Sequence, residues 1–487
     1  MELESIVQFL ENKTILVTGA TGFLGKMLVE KVLRVQPNVK KIYLLIRASD
    51  NKSASQRMHT EVIGKELFCV LREQLDTDFD PFISEKVAAI SGDVSCEDDL
   101  GVKDDQLRDV LWTEIDILIN SAGTTNFDER YDVAMGTNTL GVLNVIRFSK
   151  KCVKLQMLVH VSTAYICGER EGLIKEETMF YTGKPIEETT SKLDFKIEQE
   201  LVAQKLKELR DQHISEDTIT TIMRDFGSER AKLYGWPNTY VFTKAMGEIC
   251  LRTSTEILPL LIVRPTMVTS TVNEPFPGWI EGCRTVDGVI VGYGKGKLKC
   301  FLSKSTSMLD LIPGDMVVNL ILVALTSHAN QSSEFIYQIG SSLRNPIYTS
   351  DIQKFVFQYF SKNPLRNKKG KLIKVGKLLL LSNMAILHVF IAVCFILPLK
   401  VLKLGSIATC QKFPDSYSNN KRKVKLMMRL LEFYKPYVLF NGIFDDENSE
   451  KLRLKLLKES WEEMDKFNFD PKSIDWENYM MMRIQKN

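Results

Sequence analysis

The chain has 487 residues, 44% hydrophobic and 26% charged, and a formal net charge of +3. These values are typical of a globular protein with a large first domain and a smaller second one, and the near-neutral charge predicts no nucleic-acid partner. The nine cysteines are scattered without a CxxC pair, so they indicate neither a disulfide framework nor a metal site, and they favour a reducing compartment.

The first predicted elements are a strand, a glycine-rich turn and a helix, in the stretch KTILVTGATGFLGKMLVEK. Thr14–Thr18 is a β-branched, apolar run typical of a buried parallel strand. Gly19 lets the chain leave the strand, Gly22 removes a Cβ where a pyrophosphate must approach, and Gly25 allows close packing of helix on strand. The helix N-terminus then faces the phosphates. We therefore predict a dinucleotide site that includes Thr18, Gly19, Thr21, Gly22, Phe23, Leu24 and Gly25; a turn without a ligand is the alternative.

The second predicted strand, Lys41–Ile46, ends at Arg47. In a dinucleotide fold this position carries an acidic residue for the ribose of NAD, or an arginine for the 2′-phosphate of NADP. Arg47 therefore predicts NADPH as the cofactor. The alternative is a solvated surface arginine. Because this first βα unit begins near Thr14, we expect no cleavable leader ahead of the fold.

Two further parallel strands are predicted downstream, at Lys86–Gly92 and Asp116–Asn120. Asp93 and Val94 follow the former, where a carboxylate could meet the adenine. Small residues follow the latter and would let a cofactor lie close to the backbone. The cofactor residues predicted on this fourth strand and after it are Asn120, Ser121 and Ala122.

The fifth predicted strand, Leu158–Ser162, is followed by Thr163. From Gly168 to Trp236 the pattern changes to an amphipathic helix, which we interpret as an insertion or lid. Strand character returns at Pro259–Val268, where Pro265 is predicted to line the cofactor site, and loops rich in proline and glycine follow.

A YxxxK pair occurs twice, at Tyr240/Lys244 and at Tyr293/Lys297. Residues four apart share one face of a helix, which brings a lysine ammonium close enough to lower the pKa of a phenol. Tyr240 begins a plausible helix, whereas Tyr293 lies among glycines that disfavour helical geometry. We therefore predict that Tyr240 and Lys244 are the functional pair, with a chance surface pair as the alternative.

The predicted catalytic group combines this pair with a hydroxyl from the end of the fifth strand. Tyr240 would donate the proton, and Lys244 would lower its pKa and hydrogen-bond the nicotinamide ribose. Thr163 or Ser162 would hold the substrate carbonyl oxygen where negative charge develops. Capping of the strand end is the alternative role for the two hydroxyls.

An apolar segment, Leu378–Leu399, lies between lysine-rich stretches, Lys362–Lys377 on one side and Lys400, Lys403 and Lys421–Lys425 on the other. It is long enough to span a bilayer, but basic flanks on both sides assign no orientation. A helix lying in, or hairpinned into, a membrane surface accommodates both flanks. A buried helix of a C-terminal domain is the alternative. The remaining tail has a helical pattern.

Several motifs together resemble the extended short-chain dehydrogenase/reductases, and more closely the plant alcohol-forming fatty acyl-CoA reductases. They include TGATGFLGK, LVHVSTAYICGE, GWPNTYVFTKAMGE, IVRPTMVTSTVNEPFPGWIEG and YKPYVLFNGIFDDENSEKLR. The resemblance covers nearly the whole chain. It implies that a long-chain acyl-CoA is reduced by two hydrides from NADPH to a primary fatty alcohol, of the kind used in waxes and suberin, through an aldehyde that is not fully released.

The expected fold is therefore α/β, with a Rossmann-type doubly wound parallel sheet and a smaller helical C-terminal domain. We expect the reductase domain at residues 1–360 with the insertion at about 168–236, a membrane-associating linker at 361–400, and the C-terminal domain at 401–487. The expected location is the cytosolic face of the endoplasmic reticulum membrane, or else the cytoplasm. Two other functions remain open: a sugar-nucleotide epimerase or dehydratase of the same superfamily, and a non-catalytic NADPH-binding protein.

Overall fold

Parallel strands dominate the fold of this chain. The computed structural model describes residues 5–183, 193–253, 258–282, 285–398, 400–401 and 415–486. In chain order, the strands among them are β1 (Thr14–Thr18), β2 (Lys41–Ile46), β3 (Val87–Ser91), β4 (Ile117–Asn120), β5 (Met157–Val161), β6 (Gly172–Ile174), β7 (Leu260–Pro265), β8 (Met267–Thr269), β9 (Cys300–Leu302), β10 (Met308–Leu309), β11 (Leu311–Pro313), β12 (Glu334–Ile339), β13 (Ile347–Tyr348), β14 (Leu379–Leu381) and β15 (Gly442–Phe444).

Helices separate most of the strands. The α-helices are α1 (Ile6–Phe9), α2 (Phe23–Val35), α3 (Asn51–Met58), α4 (Cys69–Leu75), α5 (Phe79–Lys86), α6 (Asp105–Glu114), α7 (Tyr131–Met135), α8 (Gly141–Ser149), α9 (Phe195–Asp211), α10 (Glu216–Leu233), α11 (Thr239–Arg252), α12 (Thr285–Gly294), α13 (Gly314–His328), α14 (Thr349–Lys362), α15 (Met384–Ile391), α16 (Asp415–Val438), α17 (Glu447–Glu459), α18 (Trp461–Lys466) and α19 (Trp476–Lys486). Short π-helical stretches lie at His59–Ile63, Gly136–Leu140 and Ala392–Ile396.

Seven strands form one parallel sheet in the order β12-β7-β5-β4-β1-β2-β3. The order reverses direction between β1 and β4, and the crevice outside the carboxyl ends of the strands at such a switch point is where dinucleotides bind. All five residues of β1 are buried, as are those of β5. Helices therefore cover both faces of the sheet's centre, which confirms the predicted doubly wound α/β fold.

The described residues divide into two compact units, each built from several stretches of the chain. The first contains Met1–Glu281, Asp310–Asn345 and Gly442–Asp475, and holds the seven-stranded sheet. The second contains Gly282–Leu309, Pro346–Asn441 and Trp476–Asn487. The domain boundaries expected at residues 360 and 400 stay a prediction. The tail, expected to be helical, also contributes strand β15, which pairs with β6 inside the first unit.

The apolar run Leu378–Leu399 is not one continuous helix. It begins with β14, which pairs with β9 in the second unit, and continues through α15 into the π-helical stretch. Leu387 and Ile391 pack in a small apolar core with Leu302 of β9. Among the described residues, no helix is both long enough and apolar enough to cross a bilayer. Leu399 and Lys403 of this segment, and residues 184–192 of the predicted insertion, lie outside the described residues.

Candidate active site

The glycine-rich turn after β1 has the shape of a phosphate cradle. Gly19 has a φ of +70°, and a Cβ there would lie 2.6 Å from the backbone nitrogen of Ala122. A Cβ on Gly25 would lie 2.5 Å from the carbonyl oxygen of Gly19. Gly22 is the N-cap of α2 and offers no side chain to the helix. The N–H groups of the first turn are therefore left for an anion, which fits the pyrophosphate of a dinucleotide.

Polar side chains tie the neighbouring strand ends together below this cradle. Thr18 donates a hydrogen bond from its hydroxyl to the side-chain oxygen of Asn120 at 2.7 Å, and accepts one from the Ala122 backbone N–H at 3.2 Å. The amide of Asn120 lies 3.1 Å from Nδ1 of His160. Burial, assisted by the Lys244 charge, holds the pKa of His160 well below its usual value, so the ring is neutral. Thr18 and Asn120, predicted to bind the cofactor, thus also fix the loop that follows β4.

Arg47 stands at the end of β2, as predicted. Its side chain is exposed and forms no ion pair with the described residues. Its carbonyl oxygen accepts a hydrogen bond from Nη1 of Arg57 at 2.6 Å, and Arg57 also pairs with Glu61. A second guanidinium, which the sequence pattern did not indicate, therefore lies at the backbone of Arg47, where it is also paired with Glu61.

The other predicted cofactor residues lie along the same edge of the sheet. Asp93 accepts a hydrogen bond from the Ser95 backbone N–H, and Val94 is buried. Pro265 ends β7, and its carbonyl oxygen lies 3.4 Å from the hydroxyl of Thr163. The remaining members follow β1 and β4 directly and are Thr21, Phe23, Leu24 and Ser121. Phe23 also stacks on Trp279, with ring centroids 5.0 Å apart.

Helix α11 presents the predicted pair on one face. Its N-terminus is fixed by Asn238, whose side chain accepts a hydrogen bond from the Val241 N–H at 3.1 Å. The hydroxyl of Thr163 lies close enough to the phenol of Tyr240 for its hydrogen bonding to lower the pKa of the phenol. Burial raises the pKa of Tyr240 to about 12, against the effect of that hydrogen bond. The phenol is therefore protonated at neutral pH and suited to donate a proton.

Lys244 is buried and donates a hydrogen bond from Nζ to the carbonyl oxygen of Val161 at 2.7 Å. Burial lowers its pKa to about 8, and the charge of Glu248 opposes this shift. We predicted that Lys244 lowers the pKa of Tyr240, but the group that does so here is Thr163. The lysine is directed instead to the end of β5.

The two candidate hydroxyls have different environments. Ser162 donates its hydrogen bond to Glu248 at 2.8 Å and is buried, so it is not directed at Tyr240. Thr163 lies close to Tyr240. Its hydroxyl also accepts a long hydrogen bond, 3.4 Å, from the Tyr165 N–H, so it has the capping role that we considered as an alternative as well. Of the two, Thr163 is therefore the one placed to contact a substrate oxygen.

Sequence reasoning missed Asn138. Its side-chain nitrogen donates to the hydroxyl of Thr243 at 3.0 Å, and its oxygen accepts from the Thr124 N–H at 3.0 Å. It thereby links α11 to the loop after β4. Glu248 was also missed, although its position four residues after Lys244 extends the same helix face and could have identified it.

Tyr293 was expected to lie outside any helix, and this is wrong. It is in the last turn of α12, because the apolar side chains of that helix, Val286 and Ile290, are buried in spite of the neighbouring glycines. Its hydroxyl donates to the Gly376 carbonyl oxygen at 2.7 Å. Lys297 lies beyond the helix end. Tyr293 belongs to the second unit, whereas Tyr240 belongs to the first.

The sheet, the glycine turn and the Thr163, Tyr240 and Lys244 group define an oxidoreductase of the extended short-chain dehydrogenase/reductase class with a nicotinamide dinucleotide site. An NAD-binding family model described as "Male sterility protein" matches residues 17–321, and a second with the same description matches residues 394–485.

The chain is 53% identical over 484 residues to "Probable fatty acyl-CoA reductase 5" of Arabidopsis thaliana, covering 99% of this chain and 97% of that protein. It is 49% identical over 482 residues to the "Alcohol-forming fatty acyl-CoA reductase" of Simmondsia chinensis, covering 99% and 97%. The chain belongs to the fatty acyl-CoA reductase family. This confirms the resemblance and favours reduction over the epimerase and non-catalytic interpretations.

Solved structures share the fold at low identity. The terminal R domain of the myxalamid pathway matches with a TM-score of 0.56 and 17% identity over 98% of this chain and 90% of its own. The reductase domain of a nonribosomal peptide synthetase from Mycobacterium tuberculosis matches with a TM-score of 0.57 and 17% identity, over 93% and 88%. These likenesses support the Rossmann-type fold.

Proposed function

We propose that this chain reduces a long-chain or very-long-chain fatty acyl-CoA to a primary fatty alcohol with NADPH, and releases CoA. The observation that carries this proposal is the match, over nearly the full chain, to reductases of this name, one of them called alcohol-forming. The placement of Tyr240 beside Thr163 supplies the acid that such a reduction requires.

A bound dinucleotide supplies the hydride. The hydroxyls of Thr163 and Tyr240 converge where the thioester carbonyl oxygen would become negative, and Tyr240 donates its proton there. Collapse of the resulting hemithioacetal breaks the carbon–sulfur bond and releases CoA. The aldehyde oxygen then occupies the same position and takes a second proton from Tyr240, which solvent has reprotonated, while a second NADPH, bound in exchange for the oxidised one, would supply the second hydride and give the alcohol.

The exposed guanidinium of Arg47 supports NADPH over NADH. A 2′-phosphate is a dianion that an arginine binds through two charge-assisted hydrogen bonds. Arg57 also lies at this strand end, but its charge is paired with Glu61, so the preference for NADPH is assigned to Arg47.

We also propose that the protein acts at the cytosolic surface of the endoplasmic reticulum membrane. In the second unit, the helical residues 384–398, together with residues 400–401, expose apolar side chains at helical spacing on one side. They are 48% to 64% exposed, and comprise Ile386, Val389, Val393, Leu397 and Val401. We call them the apolar stripe. Exposed Lys374 and Lys377 precede it and Lys400 lies within it. Apolar residues bordered by lysines suit an interface with anionic lipid.

The activity is tested by incubating the purified chain with palmitoyl-CoA or a longer acyl-CoA and NADPH, followed by mass spectrometry of the lipids. We expect the primary alcohol and two NADPH oxidised for each alcohol formed. Accumulation of free aldehyde as the end product, with one NADPH oxidised, would contradict the alcohol-forming assignment.

A further inference from the structure

Glu248 occupies the third position on the helix face that carries Tyr240 and Lys244, at the same four-residue spacing. It is 2% exposed. One carboxylate oxygen accepts hydrogen bonds from the Ser162 hydroxyl at 2.8 Å and from Nε of Arg264 at 3.1 Å. The other oxygen pairs with Nη2 of Arg264. A buried, fully engaged carboxylate thus lies directly behind the catalytic pair.

Arg264 is fully buried and is itself anchored. Its Nη1 donates to the Glu176 carbonyl oxygen at 2.6 Å, and its Nη2 donates to that of Thr178 at 3.0 Å. The Glu248–Arg264 pair therefore connects α11, β7 and the segment after β6. The polar groups of both side chains are engaged by these partners, so we expect any effect on catalysis to pass through Ser162 or Lys244.

We propose, on the basis of the function above, that Glu248 is a positioning residue that fixes the end of β5 through Ser162 and places a carboxylate on the helix face that carries Lys244. Val161 accepts from Lys244, and Ser162 donates to Glu248, so two successive residues of the β5 end are tied to one face of α11. Thr163, the next residue, then meets Tyr240. Through this arrangement one carboxylate sets both the charge of the lysine and the position of the hydroxyl.

The charges around Lys244 agree with this role. Its low pKa places it near the point of deprotonation at physiological pH, and Glu248 is the group whose charge favours the protonated form. On the sheet side lie neutral His160 and the paired Arg264. The titratable groups of the other elements packed on α11 are Tyr131, Asp132, Arg147, Tyr165, Cys167, Glu216, Asp217, Arg224, Asp225, Glu229, Arg230 and Lys232.

The test compares two variants that break the same ion pair, Glu248→Gln and Arg264→Gln, in the full-length protein. NADPH binding is measured by fluorescence from neutral to alkaline pH, with thermal melting as the measure of folding. In the unmodified protein, affinity should fall as pH rises through the Lys244 pKa of about 8. Glu248→Gln should move this fall about one pH unit lower, because the favourable charge is lost. Arg264→Gln should move it higher, because the carboxylate is no longer neutralised.

Opposite shifts support the proposal, whereas shifts in the same direction, or no shift with Glu248→Gln, overturn it. Should Glu248→Gln not fold, Glu248→Asp keeps the charge and should retain the wild-type midpoint; a midpoint lowered as far as the loss of charge predicts would overturn the proposal. The Lys244→Arg variant should show no fall, and a persistent fall would assign the titration to another group. Because the binding readout needs no acyl-CoA, the proposal can fail or succeed independently of alcohol formation.

Discussion

Nζ of Lys244 donates a hydrogen bond to the carbonyl oxygen of Val161 at 2.7 Å. This bond fixes the lysine against the last residue of β5, two positions before the hydroxyl that meets Tyr240. Lys244 therefore has two roles in the site: its ammonium group carries a positive charge, and it holds the helix against the end of β5.

Turnover should fall as the pH rises through about 8. Lys244 has its pKa lowered to about 8 by burial, so the charged form is present below this pH and is lost above it. Tyr240, with its pKa raised to about 12, stays protonated throughout. The check is the pH profile of kcat with palmitoyl-CoA, and Lys244→Arg should lose the alkaline decline. An unchanged decline in that variant would contradict the assignment.

Tyr240→Phe should abolish alcohol formation and leave NADPH binding nearly intact, because it removes the proton donor and keeps the ring that stacks on Phe127 at 5.7 Å. Tyr293→Phe is the matched control. It removes the hydrogen bond to Gly376, costs about 1 kcal/mol of stability and should leave turnover near wild type. Mass spectrometry of the product and a fluorescence titration with NADPH measure the two effects. Near-normal activity in Tyr240→Phe would remove this residue from the mechanism.

Arg47→Ala should erode the preference for NADPH over NADH, by about 1.5–3 kcal/mol if one charge-assisted contact is lost. The value of kcat/KM for each cofactor measures this. Lys52→Ala, an exposed cation on the neighbouring helix α3, serves as the control and should leave the ratio unchanged. Equal use of both cofactors by the unmodified protein would be incompatible with the proposed role.

Gly247→Ala should destabilise the protein, although alanine is the better helix former. A Cβ at Gly247 would lie 2.1 Å from the backbone oxygen of Asn138, and backbone cannot move aside cheaply. Gly292 of α12 is the matched control, because its Cβ would meet only Leu298 at 3.7 Å. Gly292→Ala should stabilise by roughly 0.5–1 kcal/mol. Opposite changes in the melting temperature support this account, and equal ones contradict it.

Local signals explain what could be predicted from the sequence. The strand at Thr14–Thr18, the glycine turn and the helix of Tyr240 each depend on residues close together in the chain, so propensity and spacing suffice. The hydrogen bond from Ser162 to Glu248, in contrast, joins residues that are 86 positions apart in the chain. No periodicity in the sequence reports which of two adjacent hydroxyls points to the helix and which to the phenol.

The apolar run shows that a local pattern can also mislead when a long-range contact determines the structure. Leu378–Leu399 has the composition of a continuous helix, but Leu379–Leu381 pairs with Cys300–Leu302, a strand far upstream. Tertiary pairing therefore overrides the local pattern. Leu387 and Ile391 are buried in a small apolar core. The exposed apolar face of this segment is therefore narrower than its composition alone suggests.

That face provides the last prediction. Val389 and Val393 are 64% and 57% exposed in the apolar stripe. Replacing both by aspartate should weaken binding to vesicles of phosphatidylcholine and phosphatidylserine, since each buried CH₂ contributes about 0.8 kcal/mol and the new charges repel anionic lipid. Val153→Asp, at a valine 77% exposed in the first unit, is the control and should bind as wild type does.

Flotation of the full-length protein with these vesicles measures the effect, and light scattering of the free protein reports self-association. Added salt should weaken binding too, because each lysine near the lipid surface adds about 1 kcal/mol of attraction that ions screen. If the double variant floats as well as wild type, the stripe does not meet the membrane. If wild type stays unbound but is a dimer that the double variant dissociates, the stripe serves a second copy of the chain, and the membrane proposal is wrong.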